Sequence, residues 1–229
     1  DISNLDERIS EGDGMDALAW YRSFHWHDPH NWGIYITDRG LYYLAKKIFF
    51  NLNQVNDLGK PYNMLDLLQQ AFNLLYLHEY FHFITDISAT VLELGSRSSY
   101  PFYINYSKSV YAKYKSSPNE PLEEALANAF AYSKFPYRCY PKSDIRKSIR
   151  SSMDKQPNGY KGYGSFLGKN FIEGKRKLGT IISQTDHNPK PLDGLEILFD
   201  HNRSNIRDVD VPVYIVNQIQ DSRYNIGFV

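Results

Sequence analysis

Residues 63–94 decide the fold of this chain, and they read NMLDLLQQAFNLLYLHEYFHFITDISATVLEL. Apolar side chains recur there at steps of three and four residues, and His78 and His82 continue the same stripe. This period is that of an α-helix with one face in the core. Asn63 is a suitable N-cap for it. The sequence therefore predicts a long helix, and because about thirty residues is long for a globular helix, a break after Asp86 is an open alternative.

The segment His78-Glu79-Tyr80-Phe81-His82 is an HExxH motif. Helical side chains four residues apart share a face, so both imidazoles can bind one Zn²⁺. Glu79 lies one step round the helix, where it can hold an attacking water and take its proton. Asp86, one turn beyond His82, is a suitable acceptor for a histidine N–H. The alternative is a pair of histidines without a metal, but a buried, unpaired glutamate beside them would be costly.

A third protein ligand is needed if a catalytic zinc is to keep its fourth position for water. The next predicted helix begins at residues 119–121, with proline in its first turn, and runs to about residue 135. It offers three candidates, which are Glu120, Glu123 and Glu124. We favour Glu124 because small residues follow it at helical spacing, namely Ala127, Asn128 and Ala131. Glu123 shares its face with the bulkier Phe130 and is the second choice. Both glutamates could instead only favour the positive end of the helix dipole.

The HExxH motif and the downstream Glu124-Ala-Leu-Ala-Asn-Ala-Phe-Ala131 together resemble the gluzincin metallopeptidases, and more narrowly the ImmA/IrrE type. The resemblance covers residues 63–136. It implies a mainly helical, zincin-like α+β core with a small sheet, in which His78, His82 and Glu124 bind zinc and Glu79 is the general base. The chain departs from the narrower type in its longer gap from His82 to Glu124, and in the large Tyr-Phe pair inside the motif.

The rest of the chain predicts further elements around this core. Residues 32–37 alternate as a short strand, and Asp38 would cap a helix from about residue 40 to 52. Residues 195–199 and 211–216 are short apolar runs typical of strands. We divide the chain into a metallopeptidase core, residues 1–138, and a basic C-terminal α+β extension, residues 139–229, which could belong to the same domain.

Residues 142–177 are basic, with ten Lys or Arg against three acidic residues. Such a stretch could contact a nucleic acid or an acidic protein, although a solvated face is the simpler interpretation. The Gly/Tyr run at residues 159–164 lacks the Gly-Lys-Ser/Thr ending of a phosphate-binding loop. We expect it to be a flexible loop near a substrate cleft.

Histidines outside the motif give weaker indications. His25, His27 and His30, with Asp28, could form a second metal site, but the adjacent proline favours a polar turn. Any of these histidines could instead approach the zinc and bind a developing oxyanion. The competing candidates for that role are His187, His201 and several tyrosines.

Composition excludes few classes of protein. The 229 residues are 42% hydrophobic, and 26 Lys and Arg balance 26 Asp and Glu, so net charge favours no partner. No apolar run is long enough to span a membrane. Cys139 is the only cysteine, which excludes an intrachain disulfide and favours a reducing compartment. We expect a cytoplasmic protein, with a secreted effector as the alternative. Because the chain begins with Asp1, it could also be a fragment of a longer protein.

The sequence thus predicts a zinc-dependent endopeptidase that acts on a restricted protein substrate, as regulatory, defence or toxin-like proteases do. The alternative is a zinc-stabilised binding module that recognises a protein or a nucleic acid. Glu79 favours the endopeptidase, because a purely structural zinc site needs no base.

Overall fold

The computed structural model describes residues 14–25, 30–55, 63–96, 102–114, 122–136, 142–183 and 210–217. These residues form a mixed α+β fold that is mostly helical, as predicted. In chain order the elements are a 3-10 turn Gly14–Ala17, β1 (Ala19–Arg22), β2 (Gly33–Thr37), α1 (Asp38–Val55), α2 (Met64–Ser96), α3 (Phe102–Tyr114), α4 (Leu122–Lys134), α5 (Lys142–Met153), a 3-10 turn Tyr160–Phe166, α6 (Asn170–Ser183) and β3 (Val213–Val216).

The three strands form one small sheet in the order β1-β2-β3. The central strand β2 pairs antiparallel with β1 and parallel with β3. All five of its residues are buried, which explains why its sequence is almost wholly apolar. The ring of Tyr35 stacks between Trp20 of β1 and Tyr214 of β3. The strands predicted at residues 32–37 and 211–216 are confirmed, and the run at 195–199 lies outside the described residues.

The junction between β2 and α1 differs from the prediction in its capping residue. Thr37, rather than Asp38, caps the helix, because its Oγ1 accepts the N–H of Gly40 at 2.8 Å. The same hydroxyl donates to the backbone oxygen of Leu18, just before β1, at 3.1 Å. Asp38 already belongs to the helix. One threonine side chain therefore fixes both the start of α1 and the entry to β1.

Helix α2 is the central element of the fold and runs unbroken for 33 residues. The predicted cap is confirmed, since Asn63 Oδ1 accepts the N–H of Leu65 at 3.0 Å. The alternative of a break after Asp86 is wrong. The hydroxyls of Thr85, Ser88 and Thr90 each donate to the carbonyl four residues earlier, so they leave the helix continuous. Helices α1 and α4 and strand β1 all pack on α2.

The later part of the chain packs on the same core. Asn51 of α1 donates to Ser148 O and Ser152 Oγ of α5, at 3.2 and 3.0 Å. Ile145 and Met153 join the apolar cluster that also holds residues of α1 and α2. Elements on both sides of residue 138 therefore share one cluster and one sheet, while the division into 1–138 and 139–229 stays a prediction. Within the described residues, every helix is too short or too polar to cross a membrane.

Candidate metal centre

Four potential metal ligands converge where α2, α4 and the Gly14–Ala17 turn meet. They are Asp16, His78, His82 and Glu124, and their ligand atoms all lie within 4.8 Å of one another. The two histidines occupy consecutive turns of α2, and Glu124 comes from the first turn of α4. His78, His82 and Glu124 are buried, whereas Asp16 keeps part of its surface exposed. The structure thus brings the three predicted ligands together and adds an aspartate that sequence reasoning missed.

The histidines and Glu124 meet at short distances. Glu124 Oε2 lies 3.2 Å from His78 Nε2 and 3.6 Å from His82 Nε2. The two Nε2 atoms are 3.4 Å apart. Two imidazole nitrogens and a carboxylate oxygen therefore face one common point, which is the donor set that proteins use for zinc.

A hydrogen bond on the far side of the His78 ring determines which of its nitrogens faces this point. Asn128 Nδ2 donates to the backbone oxygen of Tyr160 at 3.0 Å and to Gln156 Oε1 at 2.6 Å. Its Oδ1 is therefore turned toward His78 Nδ1, at 3.0 Å, and must accept a hydrogen bond from the N–H at that position. The lone pair of His78 is then on Nε2, the nitrogen that a metal would bind.

His82 is oriented in the same way by Glu123. Its Nδ1 lies 2.9 Å from Glu123 Oε1, which also accepts the hydroxyl of Tyr103 at 3.3 Å. A carboxylate can only accept here, so Nδ1 carries the proton and Nε2 faces Glu124. Consecutive glutamates of α4 thus take different positions, with Glu124 in the cluster and Glu123 behind a histidine.

The close approach of α4 to α2 depends on the small residues that the sequence indicated. Ala127, Asn128 and Ala131 are all fully buried, and α4 packs directly on α2. A larger residue at these positions would hold the two helices apart. These small residues of α4 therefore allow Glu124 to reach both histidines.

Glu79 is buried beside the cluster, with 1% of its surface exposed. Its carboxylate accepts the backbone N–H of Tyr21 in β1. Its Oε1 has no hydrogen-bond partner among the described residues. Burial, with a further contribution from Glu124, raises the pKa of Glu79 to about 8. A buried carboxylate with a free oxygen next to two histidines is unusual as a purely structural feature.

The charges in the cluster are strongly interdependent. Burial acts to lower the pKa of His82, but Glu124 and Glu123 together raise it well above its usual value. Burial acts to raise the pKa of Glu124, yet His82 and His78 hold it well below the usual range. Burial and the carboxylates of Glu124 and Glu79 raise the pKa of Asp16. Buried acids here outnumber the histidines, so a divalent cation would supply the balancing charge.

Asp86 does not bind His82, and that prediction is wrong. Its carboxylate is occupied by the segment around β1, where it accepts Tyr21 Oη at 2.9 Å and Ser23 Oγ at 2.7 Å and lies 2.7 Å from His25 Nδ1. His25 Nε2 lies 3.3 Å from Glu93 Oε2. Hydrogen bonds to Asp86 and Glu93 raise the pKa of His25 to about 9. His25 therefore ties β1 to α2 as an ion pair.

The remaining candidate histidines do not join the centre in the described part of the chain. His25 is absent from the four converging ligands, and His30 is exposed. The other members of the weaker groups, His27, Asp28, His187 and His201, lie outside the described residues, as does Glu120. The proposed oxyanion role of any of them stays a prediction.

The Gly/Tyr run is a packed 3-10 turn, so the prediction of a flexible loop is wrong. Tyr160 and Tyr163 are each only 2% exposed. The ring of Tyr160 stacks on that of His78, with centroids 5.9 Å apart. Gly159 takes a positive φ of 76° just before this turn, and the tyrosines supply the apolar surface that holds it. The run therefore supports the centre from behind His78.

The basic stretch is carried by α5, α6 and the turn between them. Two of its arginines have acidic neighbours about one turn away, with Arg150 3.7 Å from Asp154, which directly follows α5, and Arg176 3.7 Å from Glu173 on α6. These pairs are exposed and contribute little to stability. A nucleic-acid or protein partner for this stretch stays a prediction.

No family model, curated protein or solved structure matched this chain when it was compared with all three.

Proposed function

We propose that this chain is a zinc-dependent endopeptidase with a restricted protein substrate, similar to the gluzincins in its ligands and base. His78, His82 and Glu124 hold the metal, and Glu79 is the general base. The observation that carries the proposal is the convergence of two histidine Nε2 atoms on the Glu124 carboxylate, beside a Glu79 oxygen that has no hydrogen-bond partner among the described residues. A restricted protein substrate suggests a regulatory, defence or toxin-like protease.

The chain's own groups hold this arrangement before any substrate arrives. Asn128 and Glu123 hold Nδ1 of the two rings, so both Nε2 atoms face the Glu124 carboxylate without rearrangement, and His82 would release its Nε2 proton when a metal binds. A zinc ion bound by these groups supplies Lewis acidity, which polarises a carbonyl oxygen and makes water more acidic. This preorganisation supports a metal at the centre.

Glu79 has the surroundings that a general base requires. The N–H of Tyr21 holds one end of its carboxylate, and a bound divalent cation would lower the raised pKa of Glu79, so that Oε1 could accept a proton from water. Its burial keeps bulk water from competing for that oxygen. In the proposed reaction Glu79 takes a proton from the attacking water and returns it to the leaving amine of the peptide.

A zinc-stabilised binding module is the second candidate, and Asp16 is the observation that favours it. A fourth protein ligand is the mark of a closed, structural zinc site. The same site would not need Glu79, whose buried carboxylate is costly to retain. For this reason we place the peptidase first.

The test compares the parent protein with Glu79→Gln on a peptide library, with new N-termini read by mass spectrometry. Glutamine is nearly isosteric and can still accept the N–H of Tyr21, so zinc content and fold should be unchanged. Loss of the base should slow cleavage by about 10²- to 10⁴-fold. Glu173→Gln, on an exposed surface of α6, is the matched control and should cleave like the parent. Cleavage by Glu79→Gln at the parent rate would contradict the assignment.

A further inference from the structure

The described centre holds one more candidate ligand than a catalytic zinc requires. A catalytic centre has three protein ligands and one open position. In this fold the Asp16 carboxylate lies within 4.8 Å of the ligand atoms of His78, His82 and Glu124. Asp16 is therefore a candidate for the position that water or a substrate carbonyl would otherwise take at a bound zinc.

The residues on either side of Asp16 dock it firmly. Met15 is 1% exposed and lies in the main apolar cluster, together with Leu18. The N–H of Leu18 donates to Met15 O at 2.8 Å, and Leu18 O accepts the N–H of Thr37 at 3.0 Å. The carboxylate thus points into the cluster because the turn that carries it is seated in the core.

The four candidate ligands are not equally fixed. His78, His82 and Glu124 lie on α2 and α4, two long or well-packed helices, and all three are fully buried. Asp16 lies on a 3-10 turn of four residues and is the member that keeps exposed surface. Its side chain could therefore rotate away from a bound metal while the turn stays seated and both helices stay in place.

We propose that Asp16 is a fourth metal ligand that shuts the centre, and that the Gly14–Ala17 turn is an internal plug. The inference rests on the proposed function, because only a catalytic centre needs to be opened. With Asp16 bound to the metal, Glu79 is closed off from solvent and a substrate has no position at the metal. The enzyme is then latent, and its turnover is limited by the fraction of molecules in which the Asp16 side chain has left the metal.

Cobalt substitution tests the plug without relying on activity. The parent, Asp16→Ala and Asp16→Asn are each loaded with Co²⁺, and acetohydroxamate, a small metal-binding probe, is titrated while the visible absorption band is followed. We expect the Asp16 variants to bind the probe at least about tenfold more tightly than the parent, which corresponds to about 1.4 kcal/mol. Asp66→Asn, which removes a carboxylate at the start of α2 outside the cluster, should behave like the parent.

The outcomes separate the plug from the proposed function. Equal probe affinity in the parent and both Asp16 variants would overturn the plug, even if the protein proves to be a peptidase. Probe binding that is gained in the variants supports the plug, even if neither variant cleaves a peptide library, and that absence of cleavage would instead overturn the peptidase. Failure of Co²⁺ to bind the parent would overturn both. Asp16→Asn preserves the size of the side chain, so one variant should fold if Asp16→Ala does not.

Discussion

Replacement of Asn128 by alanine tests the centre selectively, because Asn128 contacts His78 and is not one of the proposed metal ligands. The change removes the acceptor for His78 Nδ1 and both donors to Tyr160 O and Gln156 Oε1. The two tautomers of His78 then become similar in energy, and only one of them presents a lone pair to the metal. We expect weaker zinc binding together with a less stable fold.

The magnitudes follow from those three hydrogen bonds. Each buried group left without a partner costs about 1–3 kcal/mol, and water entering the small cavity offsets part of this. We expect the free energy of unfolding to fall by about 2–4 kcal/mol. For a chain of this size that lowers the melting temperature by roughly 5–15 °C. Loss of the residue that orients a metal-binding histidine should weaken zinc binding by about 10- to 100-fold.

The assay measures zinc affinity by competition with a chromophoric chelator, and stability by thermal unfolding after the metal has been removed. Asn51→Ala is the matched control, since Asn51 is also buried and bridges α1 to α5 through two hydrogen bonds. It should lose stability but keep the zinc affinity of the parent. If Asn128→Ala also kept that affinity within about twofold, the argument that Asn128 fixes the tautomer would be refuted.

Three further predictions test the surroundings of the centre. Equilibrium dialysis should show that Glu124→Gln abolishes stoichiometric zinc binding, whereas Glu123→Gln weakens zinc binding by only about 10- to 100-fold. If both variants retained zinc equally, Glu124 would not be a ligand. The pKa of His25 is raised in the fold from 6.5 to about 9, so its ion pair stabilises fully below pH 6.5 and is lost as pH rises through 9. Denaturant-induced unfolding should show that His25 contributes a loss of stability of about 1–2 kcal/mol across that window, allowing for solvent screening, and His25→Gln should lack that part of the pH dependence. In Gly40→Ala, the new Cβ would stand 2.6 Å from Leu18 O, so thermal unfolding should show a loss of stability of about 1–3 kcal/mol. The control is Gly164→Ala, whose new Cβ meets nothing within 4 Å and should leave stability nearly unchanged. Equal stability of the two variants would contradict the packing at Leu18.

The parts of this fold that sequence reasoning predicted are those fixed by local periodicity. Helix α2 carries its apolar stripe at helical spacing, and that spacing alone places His78 and His82 on one face. The small residues after Glu124 predicted that α4 would approach closely, because close packing of helices requires small side chains. The strand β2 was predictable from the alternation in residues 32–37, although the structure buries all five of its residues.

The parts that could not be predicted depend on contacts between distant segments. Asp16 has no spacing relation to the HExxH motif, and it reaches the centre only because Met15 and Leu18 are seated in the core. Asp86 was expected to bind a histidine of the motif from its position on α2, but Tyr21 of β1 and two residues just after that strand, Ser23 and His25, are the partners of its carboxylate. Nδ1 of His82 pairs instead with the carboxylate of Glu123 on α4. Glycines in the turn before α6 suggested flexibility, whereas the packing of Tyr160 and Tyr163 decides the structure there.

The most direct test of the central claim is a crystal structure of the zinc-loaded protein with anomalous data collected on both sides of the zinc edge. The account predicts one strong anomalous peak, about 2.0–2.2 Å from His78 Nε2, His82 Nε2 and a Glu124 carboxylate oxygen. Glu79 should lie close by without touching the metal. A zinc peak bound elsewhere, or the absence of any peak between α2 and α4 in protein soaked with excess zinc, would contradict it.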